Sequence, residues 1–401
     1  LLVGLLPSPN GYDPCFDPQA SLSSRNAVLS KMGDTGRISA DQARSGRRSP
    51  IRLSPQACRS SSSLRGVPFY SDQVGRDLDQ LVGSEVAAEG NFLIDTYLDR
   101  NLQEQVERLL RQRLSSSKAL GVEEGAVVVL DSRTGGILAL AGGRDYRQSQ
   151  FNRATMALRQ PGSTFKLIPY LVALERGGKP SDPISCSPLR WRGQSFSSGC
   201  GGNLSLVSAF ASSSNTAALR LAQRVGLDAL VQKARDLGFT SPLAAVPGLA
   251  LGQSEVTLLE LTAAYAAIAN GGVWHSPSTI RRLTDGEACS GQSSSQCRQA
   301  NAPTTSQAGR RVSSEATARS MQQLLRAVVQ RGTGQMASLG GQEGGKTGTT
   351  NDSRDLLFVG YEPQRHWVVG IWLGNDDNSP SRASSALAAG LWSEIIRAAR
   401  F

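Results

Sequence analysis

The sequence RQPGSTFKL, residues 159–167, is the stretch around which the rest of the chain is organised. Its Pro-Gly turn precedes Ser163, and an apolar run from Leu167 to Leu174 predicts a buried helix directly behind it. Ser163 and Lys166 are three residues apart, so both side chains project from one face of the first turn. A hydroxyl beside an amine, at the positive end of a helix dipole, indicates acyl transfer through a serine ester.

Two later motifs supply the other side chains that this chemistry needs. Ser213-Ser214-Asn215 precedes a predicted helix, and Lys346-Thr347-Gly348-Thr349 lies on a predicted strand. Only six of the 43 basic residues are lysines, and two of these are Lys166 and Lys346. A role that needs a neutral amine must go to lysine, because arginine stays protonated. Each motif alone recurs by chance in other chains, and Ser163 alone could be a helix cap. All three motifs in this order are far more specific for acyl-transfer chemistry than any one of them.

Predicted strands lie on both sides of the helical region that carries the first two motifs. They are a hairpin within 126–141 and three strands at 345–349, 356–361 and 366–373, followed by a helix over 386–399. The region between the two groups, roughly 160–340, is predicted to be mainly helical. This order predicts an α+β fold with a five-stranded antiparallel sheet flanked by helices. Pro169, inside the helix after Ser163, predicts a lost backbone bond and a bend there.

The N-terminal third is predicted to contain helices separated by a polar stretch. The predicted elements are a helix around 25–32, a helix that begins after Ser39, a helix over 71–82, a strand over 92–97 and a helix capped by Asp99. Residues 50–65 are rich in serine and arginine and are predicted to be a linker.

Composition and charge limit the classes of partner. The net charge is +10 over 401 residues. Attraction to an anionic polymer or membrane and a plain arginine bias both explain this charge. The basic residues are scattered and not interleaved with aromatic residues, so we expect no nucleic-acid partner. No run reaches the roughly 18–20 apolar residues of a membrane span. Because the chain begins at Leu1 without a methionine, we expect a part of a longer protein, with any anchor upstream.

The cysteines suggest disulfides, and no cofactor or metal site is predicted. Cys186 and Cys200 bracket one polar loop, and Cys289 and Cys297 bracket another. Two disulfides formed in an oxidising compartment, or free thiols, fit this spacing. Cys15 and Cys58 have no obvious partner. Neither His275 nor His366, the only histidines, is predicted to serve a Ser-His-Asp triad.

Taken together, the three motifs resemble those of penicillin-binding proteins, and longer stretches are similar to the class A peptidoglycan synthases. The stretches similar to the transpeptidase domain include GGRDYRQSQFNRATMALRQPGSTFK, LALGQSEVTLLELTAAYAAIANGG and GGKTGTTNDSRDLLFVGYEP. The first residues, from LLVGLLPSPNGYDP onward, are similar to the end of the glycosyltransferase domain. The resemblance implies a penicillin-binding-protein/serine β-lactamase-like domain over 116–401. Before it are a glycosyltransferase remnant (1–49), the Ser/Arg-rich linker (50–65) and an interdomain linker region (66–115).

The resemblance also implies a role for each motif residue. Ser163 would attack the carbonyl between two terminal D-alanines, and Lys166 would take its proton. Lys166 would need a pKa lowered to ~7–8 by burial and by a neighbouring cation, for which Lys346 is the candidate. Ser213 would relay a proton to the leaving amine, and Asn215 would hold the substrate amide. Lys346, Thr347 and Thr349 would bind the substrate's terminal carboxylate. The substrate backbone would lie against Gly348, and the backbone N–H groups of Ser163 and Thr349 would form the oxyanion hole.

The implied activity is that of a serine D,D-transpeptidase that cross-links peptidoglycan stem peptides and is acylated by β-lactams. Its partners would be a D-Ala-D-Ala donor and an amine acceptor, at the periplasmic face of a bacterial membrane. No glycan polymerisation is expected, because the family's catalytic glutamates lie upstream. The alternatives are a D,D-carboxypeptidase, a β-lactamase, and a non-catalytic sensor that only binds penicillin or cell-wall peptide. In a β-lactamase Glu255 would position a water, but the stretch Ser254-Glu255-Val256-Thr257 lacks the expected downstream asparagine.

Overall fold

The computed structural model describes residues 2–5, 12–15, 17–53, 66–90, 92–285 and 308–399. They form two compact units, Leu1–Ser71 and Asp72–Phe401. Within the described ranges, no helix is long and apolar enough to span a membrane. The predicted disulfide Cys289–Cys297 and much of the predicted linker 50–65 lie outside these ranges.

The first unit contains short helices whose ends are set by local hydrogen bonds. The helices are α1 (Leu2–Leu5), α2 (Pro18–Asp34), α3 (Ala40–Arg48) and the start of α4 (Pro68–Val82). Asp17 caps α2, and Ser39 and Gln42 form a capping box at the start of α3. The buried guanidinium of Arg25 donates to the carbonyl oxygens of Ser49 and Arg47, so α2 is fastened to the end of α3.

The second unit is built on a five-stranded antiparallel sheet in the order β11-β12-β13-β2-β3. Its strands are β2 (Glu124–Asp131), β3 (Ile137–Ala141), β11 (Gly344–Thr349), β12 (Asp355–Glu362) and β13 (Trp367–Gly374). The three central strands, β12, β13 and β2, are buried along nearly their whole length, which explains their unbroken apolar sequences. The predicted α+β fold with this sheet is confirmed, and β11, which carries the lysine motif, is an edge strand.

Helices cover both faces of the sheet. One face packs against α6 (Arg100–Ser117) and the C-terminal α13 (Ala386–Ala398) in a core that includes Leu110, Phe358 and Trp392. The other face packs against α11 (Leu258–Ala269) and α12 (Glu315–Arg331). The site helices α7 (Leu167–Glu175), α8 (Leu206–Ala211), α9 (Asn215–Val225) and α10 (Leu227–Asp236) fill the insert between β3 and β11.

Apart from short 3-10 turns, the remaining described elements are one short helix and small two-stranded sheets. The helix is α5 (Ser84–Glu89), and the paired strands are β1 (Phe92–Thr96) with β9 (Ile280–Asp285), β4 (Pro183–Ser185) with β7 (Asn203–Ser205), β5 (Leu189–Trp191) with β6 (Gln194–Phe196), and β8 (Val273–Trp274) with β10 (Arg310–Arg311). The insert is therefore less purely helical than predicted. Most of its strands have only two or three residues and carry no detectable alternation in sequence, whereas the six-residue β9 was missed.

The expectation about Pro169 was wrong. Ser163 does not lie in the α-helix but in a 3-10 turn, Gly162–Lys166, and α7 begins only at Leu167. Pro169 is therefore the third residue of α7. The N–H groups of a first helical turn have no partner within the helix, so the missing N–H costs no helical bond.

The burial of Trp392, on the C-terminal helix α13, should contribute measurably to the free energy of unfolding. Trp392 is fully buried, packs edge-on against Phe358 at 5.7 Å between ring centroids, and donates its indole N–H to the Gly360 carbonyl at 3.1 Å. We expect Trp392→Ala to lower the free energy of unfolding by about 3–5 kcal/mol, because it leaves a large cavity and removes the indole hydrogen bond.

The matched control is Trp191→Ala, which truncates a half-exposed tryptophan on β5 and should cost about 1 kcal/mol or less. Both free energies would be measured by urea denaturation. Equal losses for the two variants would contradict the assignment of α13 to the main core.

Candidate active site

The serine turn is clamped by neighbouring backbone and by one buried tyrosine. Just before the turn, Arg159 and Val256 exchange two backbone hydrogen bonds of 3.0 Å. The Tyr265 hydroxyl, on α11, donates to the Thr164 carbonyl at 2.7 Å. Ser163 is half-exposed on this turn, whereas Lys166 is fully buried. The sequence predicted the neighbouring serine and lysine but not the role of Tyr265, which no local pattern indicates.

Ser213 is held in an uncommon backbone conformation at the end of α8. Its φ is +58°, its N–H donates to the Phe210 carbonyl, and the Ser214 N–H donates to the Ala209 carbonyl. This is the hydrogen-bond pattern of a Schellman motif, whose left-handed position is usually glycine. A serine there is disfavoured by roughly 1–2 kcal/mol, and in exchange its hydroxyl is directed at the two lysines.

Lys166 makes three contacts, all with the Ser213–Asn215 motif. Its Nζ lies 2.6 Å from the Ser213 carbonyl oxygen, 3.2 Å from Ser213 Oγ and 2.5 Å from Asn215 Oδ1. A neutral amine has two N–H donors and one lone pair. It can therefore donate to the carbonyl and the amide oxygen while it accepts a hydrogen bond from the Ser213 hydroxyl.

Lys346 reaches the same hydroxyl from the opposite side. Its Nζ lies 2.9 Å from Ser213 Oγ and 3.1 Å from the Thr347 carbonyl oxygen, and 5.8 Å from the centroid of the Phe210 ring. Ser213 Oγ is thus within hydrogen-bonding distance of both lysine amines. The three motifs meet at this one oxygen, which makes it a path along which a proton can move between the two amines.

Burial changes the protonation of both amines. It lowers the pKa of Lys166 to about 7 from an ordinary value near 10.5. It also lowers the pKa of Lys346 well below the ordinary value, with a further contribution from the charge of Lys166. Burial is the main cause of the lowered Lys166 pKa, and a charge on either amine disfavours a charge on the other, so the cation invoked in the sequence analysis acts in the same direction.

The serine turn packs directly against the end of β11. A Cβ atom built on Gly162 would lie 3.0 Å from the Thr349 carbonyl oxygen, so the backbones that carry Ser163 and Thr349 run side by side. A Cβ atom on Gly348 would lie 2.6 Å from the Pro161 carbonyl oxygen. Packing within the protein by itself requires glycine at 348, in addition to the substrate strand that the resemblance implies there.

The remaining motif side chains lie along the exposed edge of β11 and at the start of α9. Thr349 and Asn215 are exposed, and Thr347 is almost fully buried. The hydroxyl of Thr347 contacts that of Thr333, a residue that the sequence analysis did not select. In the sequence, only the glycines on either side of Thr333, in Gly332-Thr333-Gly334, mark this residue as one that could lie close to other backbone.

Two further sequence features can be placed. Cys186 and Cys200 form a disulfide, and the Cys186 carbonyl accepts a hydrogen bond from Thr216 Oγ1 at 2.7 Å, next to Asn215. Cys15 is disulfide-bonded as well, which its sequence surroundings did not indicate. Among the described residues, no group of three or more His, Cys, Asp and Glu side chains could hold a metal ion.

Comparisons with known proteins place the chain among relatives of known family and fold. Residues 125–397 match the model of the penicillin binding protein transpeptidase domain. The chain is 28% identical to penicillin-binding protein 1A of Aquifex aeolicus, over 99% of this chain and 65% of that protein. It spans between about a third and two thirds of the length of the curated relatives that it matches.

Solved structures show the same fold. Penicillin-binding protein 1A from Haemophilus influenzae matches with a TM-score of 0.71 and 21% identity, over 99% of this chain and 79% of that one. The PonA1 protein of Mycobacterium tuberculosis, solved in complex with penicillin V, matches with a TM-score of 0.69 and 22% identity, over 83% of this chain and 92% of that one.

The strain at Ser213 can be tested by comparing two substitutions. Ser213→Gly and Ser213→Ala both remove the hydroxyl, but only glycine adopts the left-handed conformation without penalty. We expect the glycine variant to be more stable than the alanine variant by ~1 kcal/mol in urea denaturation.

The neighbouring Ser212, which has an ordinary φ of −79°, supplies the control pair. There the order should reverse, with alanine favoured over glycine by up to ~1 kcal/mol. The same order of stabilities at both positions would contradict the conformational explanation.

Proposed function

The chain belongs to the penicillin binding protein transpeptidase family, as a class A member, and we propose that it is a serine D,D-transpeptidase. Its substrate would be a peptidoglycan stem peptide ending in D-Ala-D-Ala, and its product a cross-link to the amine of a neighbouring stem peptide. The observation that carries the proposal is the meeting of two buried amines at Ser213 Oγ, one of which belongs to Lys166, three residues after the half-exposed Ser163.

The first step would form an acyl-enzyme. Lys166 takes the proton of Ser163, and Ser163 Oγ attacks the carbonyl between the two D-alanines. The C–N bond then breaks, and the leaving amine takes a proton that is passed on by the Ser213 hydroxyl. A Lys166 pKa of about 7 suits this role, because about half of the amine is neutral at pH 7 and it is still basic enough to accept a proton.

The second step would resolve the ester. An acceptor amine attacks the acyl carbon and gives a proton to Lys166. An amide bond forms, the ester C–O bond breaks, and the Ser163 oxygen takes the proton back from Lys166. In both steps the oxyanion would be held by the backbone N–H groups of Ser163 and Thr349. Each such donor lowers the barrier by roughly 3–4 kcal/mol in other acyl-transfer enzymes. The close packing of Gly162 on Thr349 supports this pairing.

Substrate binding would use Lys346, Thr347, Thr349 and Asn215. The carboxylate of the terminal D-alanine would favour the protonated form of Lys346, because a nearby anion opposes the effect of burial. The oxygen of the Asn215 side chain is occupied by Lys166, so its amide nitrogen is the part that could hold a substrate carbonyl.

Hydrolytic and non-catalytic alternatives are less well supported. Glu255, the candidate for positioning a hydrolytic water, is exposed. A pure sensor would not need two amines with lowered pKa values around one hydroxyl, since that arrangement serves proton transfer. A D,D-carboxypeptidase differs only in the acceptor, and an assay with donor and acceptor peptides would distinguish it.

We further propose that the protein acts at the periplasmic face of the bacterial membrane, where peptidoglycan is assembled. Membrane attachment would come from a segment beyond this chain. The disulfide between Cys186 and Cys200 is consistent with an oxidising compartment.

The acyl-enzyme can be tested with a fluorescent penicillin. The wild-type protein should form a covalent adduct that survives denaturing electrophoresis and persists for many minutes, and Ser163→Ala should form none, because it lacks the nucleophilic oxygen.

The control is Ser320→Ala, which removes a serine hydroxyl on α12 that hydrogen-bonds only to its own helix. This variant should be labelled like the wild type. Labelling of the Ser163→Ala protein, or rapid loss of the adduct by hydrolysis, would contradict the proposed function.

A further inference from the structure

Thr333 lies where two of the three motif elements meet. It follows the end of α12, and its backbone N–H donates to the carbonyl of Ala211, the last residue of α8, at 3.2 Å. Its side-chain Oγ1 lies 2.5 Å from Oγ1 of Thr347, on β11. The residue therefore bridges the end of α8 and the edge strand β11, and we call the space between the Ser213 loop and β11 the groove.

The two threonines of this hydroxyl pair differ in exposure. Thr347 is only 4% exposed, whereas Thr333 is exposed to solvent. An anion that enters the groove from solvent therefore meets the hydroxyl of Thr333 more readily than that of Thr347.

The backbone on the N-terminal side of Thr333 is pressed against α8. A Cβ atom on Gly332 would lie 2.3 Å from the Ala211 carbonyl oxygen, so this position cannot carry a side chain. Since Gly334 has none either, Thr333 supplies the only side chain of this three-residue segment. Its hydroxyl is fixed in position by the bond to Thr347 and by the backbone bond to Ala211.

We propose that Thr333 is a specificity-determining residue whose hydroxyl donates a hydrogen bond to the substrate carboxylate. This inference rests on the proposed function and adds to the carboxylate site a residue from outside the three motifs. The site then consists of the Lys346 ammonium, the Thr349 hydroxyl and the coupled hydroxyls of Thr347 and Thr333.

A count of protons explains why a pair of hydroxyls suits an anion. Each threonine has one O–H donor, and the hydrogen bond within the pair uses one of the two protons. The other proton remains available, and a carboxylate can only accept. With Thr347 donating to Thr333 and Thr333 donating to the anion, the two bonds lie in series and polarise one another.

The test compares two probes on the same variants. The probes are penicillin V, which has a free carboxylate, and its methyl ester, which has none. The measured quantity is the second-order rate constant for acylation of Ser163, followed by intact-protein mass spectrometry.

We expect Thr333→Val, which keeps the shape but removes the hydroxyl, to slow acylation by penicillin V about tenfold. Acylation by the ester should change by less than about twofold, because no charge-assisted hydrogen bond is lost. Thr333→Ser retains the hydroxyl and should react with penicillin V within about threefold of the wild-type rate.

Thr317→Val is the matched control. It removes a threonine from another hydroxyl pair, in which Thr317 Oγ1 lies 2.8 Å from Ser314 Oγ at the opposite end of α12. Neither probe should react differently with this variant.

Three outcomes would overturn the inference while leaving the proposed function intact. The first is an equal fall in the acylation rate constant with both probes for Thr333→Val, which indicates a structural role only. The second is an unchanged rate constant with both probes for that variant. The third is a Thr333→Ser variant that reacts with penicillin V as slowly as Thr333→Val. A wild-type protein that penicillin V does not acylate would instead overturn the proposed function, and this inference with it.

Discussion

The site depends on the burial of two lysine amines around a single hydroxyl. Removing an ammonium from water is costly unless it is paired, and here no carboxylate contacts either Nζ among the described residues. This desolvation cost is smaller when the amines are neutral, and the oxygens of Ser213, Asn215 and Thr347 supply hydrogen-bond partners for them. Burial therefore produces the reactive, neutral form of lysine that proton abstraction requires.

The fold serves to bring three distant stretches to that hydroxyl. The sheet supplies a rigid edge strand, β11, and the serine turn is pressed against the end of that strand through Gly162 and Gly348. Helix α8 ends in a strained left-handed serine instead of a glycine, which gives up local stability for the position of Ser213 Oγ. Thr333 then links α8 to β11 at the other end of the groove. The backbone conformation is therefore unfavourable at Ser213, the residue at which the two amines meet.

The sequence predicted the sheet well because its strands are long and apolar, and it predicted the site residues because each falls in a short motif. It could not predict features that depend on tertiary approach. The requirement for glycine at 348 comes from Pro161, 187 residues earlier in the chain, and the hydroxyl of Thr333 is matched to Thr347 by packing alone. Likewise, Pro169 lies in the first turn of α7 because the preceding residues, Gly162–Lys166, form a 3-10 turn. The periodicity of the sequence does not distinguish such a turn from an α-helix.

The central claim is that Lys166 is the base and is neutral near pH 7. The most direct test is the pH dependence of the acylation rate constant of the free protein with penicillin V, from about pH 5.5 to about pH 8.5. Because only the neutral amine accepts a proton, we predict a rise of about tenfold per pH unit below the pKa of about 7 and a plateau above it. A rate that is flat over this range, or that still climbs tenfold per unit at the upper end, would contradict the assignment of Lys166 as a base made neutral by burial.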